Sequence, residues 1–277
     1  MSQLSSARAK ANSIRSLIRQ QKYLPAIQAL YDTVQAMVRN PLLKSEKEEF
    51  EQLISDGAYH IMADQTIRKS AALEIKYVVG QEKELLDNLV MLLEVFQDNM
   101  QQEAADAIRL SRERREKALN DGQALLDANE FDSARQTFAD IVKEESNNGE
   151  LRADIGERFL RAKQYEDAEK YLGEALDMIP GAAHLYNSLA MAQRKNGNYP
   201  AAEQSYLKAG KGGYKDPHLF FNMGRLYIDW KKWEKAIKAA QGALTLAPDF
   251  EEARKLITYA EQMLQKISED KADHGQA

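Results

Sequence analysis

The stretch Pro217–Phe250, PHLFFNMGRLYIDWKKWEKAIKAAQGALTLAPDF, decides the fold of this chain. Asp216 precedes Pro217, and an aspartate followed by a proline is typical of the first positions of a helix. Pro248 follows Leu244 and Leu246 and marks the end of a second apolar segment. The stretch therefore predicts one complete helix–turn–helix unit.

The same unit recurs ahead of Pro217 with a step of 34 residues. An alanine stands at one position of every unit, namely Ala134, Ala168, Ala202 and Ala236. Small residues and aromatic residues recur at two further positions of the same units, which are Gly122, Gly156, Ala190 and Gly224, and Phe131, Tyr165, Tyr199 and Trp233. A fixed period of this length indicates stacked helical repeats.

This pattern resembles the tetratricopeptide repeat over residues 115–250, about half of the chain. The resemblance implies an all-α fold, an α-solenoid of tetratricopeptide helix hairpins preceded by an N-terminal helical domain at 1–114. The predicted units are 115–148, 149–182, 183–216 and 217–250. A cap helix at 251–267 and a disordered tail at 268–277 are expected to follow.

The small residues have a physical reason. Two antiparallel helices cross closely only where no bulky side chain stands between them, so each crossing needs Gly or Ala. Each unit leaves one apolar face uncovered until a neighbour stacks on it. A bulky residue at Ala236 should therefore overpack the crossing, at a cost of about 1–3 kcal/mol.

Composition narrows the possible functions. The 277 residues carry a net charge of −5, which disfavours nucleic acid as a partner of the whole chain. There are no cysteines, which excludes disulfides, thiolate catalysis and cysteine-based metal sites. We expect no cofactor, no bound metal and no enzymatic activity. No apolar run is long enough for a transmembrane segment or a signal core, and a cytoplasmic location is the default expectation.

The N-terminal region is basic, with seven Lys or Arg and one acidic residue in positions 1–44. Apolar spacing predicts a helix over 5–21 and a second helix from Pro25 to about Arg39. Tyr23, Ala26 and Leu30 have the spacing of the later units, so we interpret the pair as a degenerate hairpin. A basic helix on an anionic surface and an organelle transit peptide are the alternatives.

Three further elements are predicted before the repeats. Ser45 and Glu48 form a capping-box pattern that starts a helix reaching about Ala63. Residues 73–79 alternate like a strand, and we favour an extended loop packed on helices over a strand that pairs in a dimer. A long helical pattern begins at about 81 and can run unbroken into the first unit. Its apolar seam suits either packing within the domain or a coiled-coil dimer.

In tetratricopeptide arrays the first helices of the units line a concave groove that holds a peptide, and the resemblance implies such a site here. The groove is acidic in the second unit, at Glu150, Asp154 and Glu157. For the third and fourth units we predict that Asn187 and Asn222 hold a peptide backbone and that Arg194 and Arg225 hold an acidic group. The candidate site comprises Asn187, Met191, Arg194, Phe221, Asn222 and Arg225. A merely solvated polar face is the alternative interpretation.

Other candidate chemistry is weak. His184 and His218 occupy equivalent positions on neighbouring units but lack a third metal ligand, so we interpret them as surface histidines. The stretch 210–213, GKGG, lacks the Ser or Thr that ends a phosphate-binding loop and is better explained as a helix end. Trp230 is predicted either as an exposed anchor or as a cover for the cap helix. The two-carboxylate clamp of chaperone-tail binders is absent.

These patterns predict a non-catalytic adaptor or scaffold that binds a peptide segment of a partner protein in the concave groove. One rival is a homo-oligomeric scaffold assembled through the 81–113 helix or the 73–79 segment. A second rival is a binder of anionic surfaces through the basic N-terminal helix.

Overall fold

A computed structural model describes residues 3–71, 74–213 and 216–274, with side chains described as far as residue 270. The described residues form thirteen α-helices and no strand. The chain divides into two compact units, Met1–Arg112 and Glu113–Ala277. Within the described ranges, no helix combines the length and apolar character needed to cross a membrane.

The first unit contains α1 to α4 and the beginning of α5. Their bounds are α1 Gln3–Arg19, α2 Tyr23–Arg39, α3 Lys44–Ala63, α4 Gln65–Ser70 and α5 Glu82–Asp127. Ile14, Leu30 and Phe50, one from each of the first three helices, are buried in a common core. Gly57 on α3 permits this packing, because a Cβ at that position would lie 2.9 Å from Ile14 Cδ1 and 3.0 Å from Leu30 Cδ1.

The start of α3 differs from the prediction. The capping interaction does not involve Ser45 and Glu48, because the helix already begins at Lys44. Instead, the backbone N–H of Leu43 donates a hydrogen bond of 3.0 Å to Glu46 Oε2. The Glu46 carboxylate thus accepts the hydrogen bond of a leucine N–H. A capping-box pattern requires a polar residue at the first position, so it does not detect this cap.

Residues 74–80 form an extended loop rather than a strand, while Leu73 lies outside the described residues. Ile75 is buried in the core of the first unit. The Tyr77 hydroxyl donates a 3.3 Å hydrogen bond to Glu82, and partial burial raises the pKa of Tyr77 above its ordinary value. Ile75 and Tyr77 therefore face the core of the first unit, whereas Val79, which continues the alternation, is 63% exposed.

The second unit continues with regular pairs of helices. Their bounds are α6 Phe131–Glu144, α7 Gly149–Arg161, α8 Tyr165–Met178, α9 Ala183–Lys195, α10 Tyr199–Lys211, α11 Pro217–Asp229, α12 Trp233–Leu246 and α13 Glu251–His274. The cap helix α13 is longer than predicted, because residues 268–274 continue it. Residues 275–277 lie outside the described part of the chain.

The turn between paired helices has one geometry in five hairpins, including α1–α2. The residue two positions past the first helix has a positive φ in each case: Gln21 at 58°, Asn129 at 61°, Lys163 at 60°, Gly197 at 80° and Lys231 at 58°. The following N–H donates to the carbonyl five residues earlier at 2.8–2.9 Å. This is the Schellman motif, which satisfies carbonyls at a helix end. The first hairpin therefore shares the turn of the repeats.

Small residues lie at the helix crossings as the spacing predicts. A Cβ on Gly156 would lie 2.7 Å from Leu172 Cγ and 3.0 Å from the Leu172 backbone nitrogen. A Cβ on Gly122 would lie 2.3 Å from the ring of Phe138. Ala202 and Ala236 are fully buried at the equivalent crossings of later units.

Candidate functional site

The first helices of neighbouring units lie side by side in the second unit, where α7 contacts α9, α9 contacts α11 and α11 contacts α13. We call their shared surface, opposite the second helices, the first-helix wall. It contains all six residues of the predicted site. The cap helix α13 packs beside α11 and extends the wall by one helix. The repeat pattern alone does not place α13 in the candidate site.

Two asparagines meet on this wall. Asn222 on α11 is 8% exposed, and its Nδ2 lies 3.4 Å from Asn187 Oδ1 on α9. The same Nδ2 lies 3.6 Å from the sulfur of Met191. These contacts fix the Asn222 amide and do not use its carbonyl oxygen, which can accept a hydrogen bond from a backbone N–H. The structure therefore brings Asn187, Met191 and Asn222 together.

Arg194 occupies a different environment from the predicted one. It is 4% exposed, and its Nη1 forms an ion pair with Asp229 Oδ2 at 3.1 Å. Its Nε has no hydrogen-bond partner among the described residues. The charge of Arg194 is thus committed to Asp229, so Arg194 does not offer a free guanidinium to a partner's acidic group. Sequence spacing places both residues on the wall but does not reveal that they pair.

Arg225 is the exposed cation of the predicted site. Its guanidinium carbon lies 5.8 Å from the centre of the Phe221 ring. Phe221 in turn packs against Phe250 at 5.0 Å, and Phe250 packs against His218 at 4.9 Å. Arg225 therefore stands at the end of a row of aromatic rings, held by a cation–π contact.

A shallow depression of about 340 Å³ adjoins Arg225 between α9, α11 and α13. Apolar side chains line part of it, namely Phe221, Ile228, Leu256 and Tyr259. Charged side chains complete the lining, namely Arg194, Lys195, Arg225, Asp229, Glu252 and Lys255. The prediction missed the α13 residues because a cap helix has no repeat partner with which to compare it.

The acidic part of the wall is partly neutralised. Arg158 on α7 forms an ion pair with Asp154 at 3.1 Å and donates to Gln123 at 3.2 Å. Glu157 accepts a 3.3 Å hydrogen bond from Ser188 on α9. Glu150 remains exposed. The charge contrast along the wall is therefore weaker than the sequence alone indicates.

The remaining sequence candidates have structural surroundings that explain them. His184 and His218 are exposed, and the described residues contain no group of three or more potential metal ligands. Gly212 is the C-cap of α10, and Gly213 has a φ of 84° in the turn that follows. Trp230 packs on Tyr199 at 5.9 Å, with Lys232 above its ring, and it also packs against the core cluster that α11, α12 and the cap helix α13 share.

The basic N-terminal helix is also partly neutralised. Arg8 forms an ion pair with Glu49 at 2.9 Å, and Lys10 forms one with Asp32 at 2.6 Å. Arg15, Arg19 and Lys22 remain exposed.

Comparison with protein families gives a match to the tetratricopeptide repeat over residues 119–183, 153–216 and 187–249. No curated protein sequence matches the chain. Among solved structures, a MamA protein is 19% identical with a TM-score of 0.44, over 59% of this chain and 95% of that one. MamA 41-end from Desulfovibrio magneticus RS-1 is 17% identical with a TM-score of 0.44, over 56% and 94%.

YrrB, described as a TPR protein with an unusual peptide-binding site, is 16% identical to this chain with a TM-score of 0.44. The alignment covers 76% of this chain and 93% of YrrB.

Proposed function

Because residues 119–249 of this chain belong to the tetratricopeptide repeat family, a family of protein–protein interaction modules, we propose that the protein is a non-catalytic adaptor that holds an extended segment of a partner protein on its first-helix wall. The observation that carries the proposal is the Asn187–Asn222 pair. The Asn222 amide is held by its neighbours and is suited to a peptide backbone, since it offers an acceptor in a fixed place.

The first-helix wall also fits a peptide in its composition. It combines amides, a methionine, a partly buried phenylalanine and an exposed arginine within two adjacent units. Met and aromatic side chains adapt to varied apolar partners, while amides and Arg supply directional hydrogen bonds. By contrast, the residues that pack the hairpins together are buried and unavailable for a partner.

A random peptide library displayed on phage and selected against the full chain tests this proposal. We expect enriched peptides to bind the wild type, and Asn222→Ala to weaken that binding about tenfold, since an amide contact to a backbone is lost. Gln241→Ala, an exposed amide on the second helix α12, is the matched control and should leave binding unchanged. Enriched peptides that bind Asn222→Ala as tightly as the wild type would place the site elsewhere.

One observation favours a second candidate, self-association through α5. Residues 97–112 of that helix are almost entirely exposed, including Met100 at 59% and Ile108 at 63%. An exposed helix with apolar side chains can pair with a second copy. Sedimentation over a range of concentrations separates the two candidates. It compares the molecular mass in solution of the wild type with that of Met100→Glu/Ile108→Glu. Only self-association through α5 predicts a lower mass for the variant.

A further inference from the structure

We propose that the depression beside Arg225 selects partner segments in which a large apolar side chain stands next to an Asp or Glu, and that Arg194 makes this selection possible by keeping Asp229 away from Arg225. This inference rests on the proposed function and names the chemical class of the segment that the first-helix wall binds. The occupant is a peptide of a partner protein. We infer its acidic residue from the exposed positive charge of Arg225.

Arg225 has an acidic neighbour on its own helix. Asp229 follows it by four residues, and an acidic and a basic residue at that spacing commonly form an ion pair on a helix surface. The structure does not show that pair. Asp229 is bound to Arg194 on α9, at 3.1 Å, and Arg225 lies over the ring of Phe221 instead.

The consequence is an exposed, unneutralised guanidinium. The described residues contain no ion pair that involves Arg225, and none that involves Lys195 on the same rim. An exposed guanidinium has planar N–H donors that can bind a carboxylate by two parallel hydrogen bonds. Arg225 is therefore prepared to bind a carboxylate from outside the chain.

The buried position of Arg194 supports its role as a positioning residue. A charge that is 4% exposed needs a permanent partner, and Asp229 supplies it. The ion pair therefore ties the Asp229 carboxylate to α9.

The apolar half of the proposed ligand follows from the depression itself. Ile228, Leu256 and Tyr259 line it within the same cavity of about 340 Å³ as Arg225, which leaves room for a large side chain. Burying such a side chain removes apolar surface from water on both partners. A carboxylate one or two residues away on an extended chain would then reach the rim of the cavity.

The test uses the peptides enriched in the display selection against the full chain, synthesised with a fluorescent label in matched pairs that differ only by Asp→Asn or Glu→Gln. We expect the wild type to bind the acidic member about tenfold more tightly, a difference typical of a charged hydrogen bond. Arg225→Gln should bind both members alike. Lys238→Gln, which removes a charge from the exposed side of α12, is the control and should keep the preference.

The role of Arg194 has its own variants. Arg194→Met retains the bulk of the side chain and releases Asp229, so the preference for the acidic peptide should disappear. Arg194→Met/Asp229→Asn removes the released carboxylate and should restore the preference. Thermal melting of both variants checks that they are folded, and Arg225→Gln, an exposed substitution, tests the carboxylate site independently of them.

The outcomes separate this inference from the proposed function. Peptides whose binding depends on Asn222 but shows no preference for acid over amide would overturn the inference and leave the adaptor in place. Enriched peptides without a large apolar residue next to Asp or Glu would overturn it as well. A preference that survives in Arg194→Met would remove Arg194 from the account, and a selection that enriches no peptide would overturn both.

Discussion

The hydroxyl of Tyr227 on α11 donates a hydrogen bond of 2.7 Å to Glu203 on α10, so the first helix of the fourth unit is tied to the second helix of the third. Lys235 on α12 donates to the same carboxylate oxygen at 2.9 Å. One carboxylate thus connects three consecutive helices. The link lies behind the first-helix wall and fixes the spacing of the units that carry the site.

The Glu203 link predicts a loss of stability in acid. Partial burial disfavours the charge of Glu203, but the hydrogen bonds from Lys235 and Tyr227 outweigh burial and lower its pKa below the ordinary value of 4.5. A lowered pKa contributes stability above pH 4.5 that disappears as the pH falls through the folded-state value. We expect Glu203→Gln to cost about 1–2 kcal/mol at pH 7, the size of a hydrogen bond to a charged group.

Urea unfolding of the wild type and Glu203→Gln between pH 7 and pH 3 measures this contribution. The difference in the free energy of unfolding between the two proteins should stay constant down to about pH 5 and become smaller below pH 4.5. Tyr227→Phe should show a similar but smaller shrinkage. A difference that is the same at pH 3 and pH 7 would contradict the charged link.

Two glycines in consecutive helices should respond to the same substitution with opposite sign. Gly156→Ala places a methyl group against Leu172, so we expect it to destabilise the protein by about 1–3 kcal/mol. Gly173→Ala meets no atom within 4 Å and should stabilise α8 by about 0.5–1 kcal/mol, because alanine loses less backbone entropy than glycine. Thermal melting measures the stability change of each variant. If the two changes had the same sign and size, the α7–α8 crossing would be misassigned.

The shared turn predicts how the first hairpin should respond to glycine. Gln21 and Lys163 both have a φ near 60°, a conformation that costs most residues about 1–2 kcal/mol. We expect Gln21→Gly and Lys163→Gly each to raise the free energy of unfolding by up to about 1 kcal/mol. Gln20→Gly, inside the preceding turn with ordinary φ, is the control and should not stabilise the protein. Stabilisation by Lys163→Gly alone would show that the first hairpin does not share the turn.

The exposed part of α5 predicts the first site of proteolysis. Residues 97–112 have few packing contacts, so this stretch should open locally more often than the packed helices. Trypsin at low concentration should therefore cut first near Arg109 and Arg112 and leave two protected fragments. Mass spectrometry of the products locates the cut. Early cleavage in α8 or α10 would contradict the division of the chain near residue 112.

The repeat part of the fold was predictable, because the same steric requirement for a small residue recurs in every unit. A close helix crossing admits only Gly or Ala, so the step of 34 residues at Ala134 through Ala236 identifies the paired helices and their order. The start of α3 was not predictable, because a backbone N–H of Leu43 bonds to Glu46 and leaves no polar residue as a signal. The length of α13 was also missed, since its polar end lacks a stop signal.

The placement of the candidate residues on one surface was predictable, but the contacts between their side chains were not. The repeat register placed Asn187, Asn222 and Arg225 on the same wall. It could not show that Arg194 is buried and paired with Asp229, because the repeat register does not specify which side chains pair across neighbouring units. The contribution of α13 to the depression was equally hidden, since it depends on how the last helix packs.

Site-specific photo-cross-linking tests the central claim, that a partner segment lies along the first-helix wall. A benzophenone amino acid replaces Lys195, which lines the depression, or Gln241 on the opposite side of the hairpins. Each protein is irradiated with a peptide enriched in the display selection. We predict cross-linking from position 195 and none from position 241. Cross-linking from position 241 alone, or equally from both, would contradict the account.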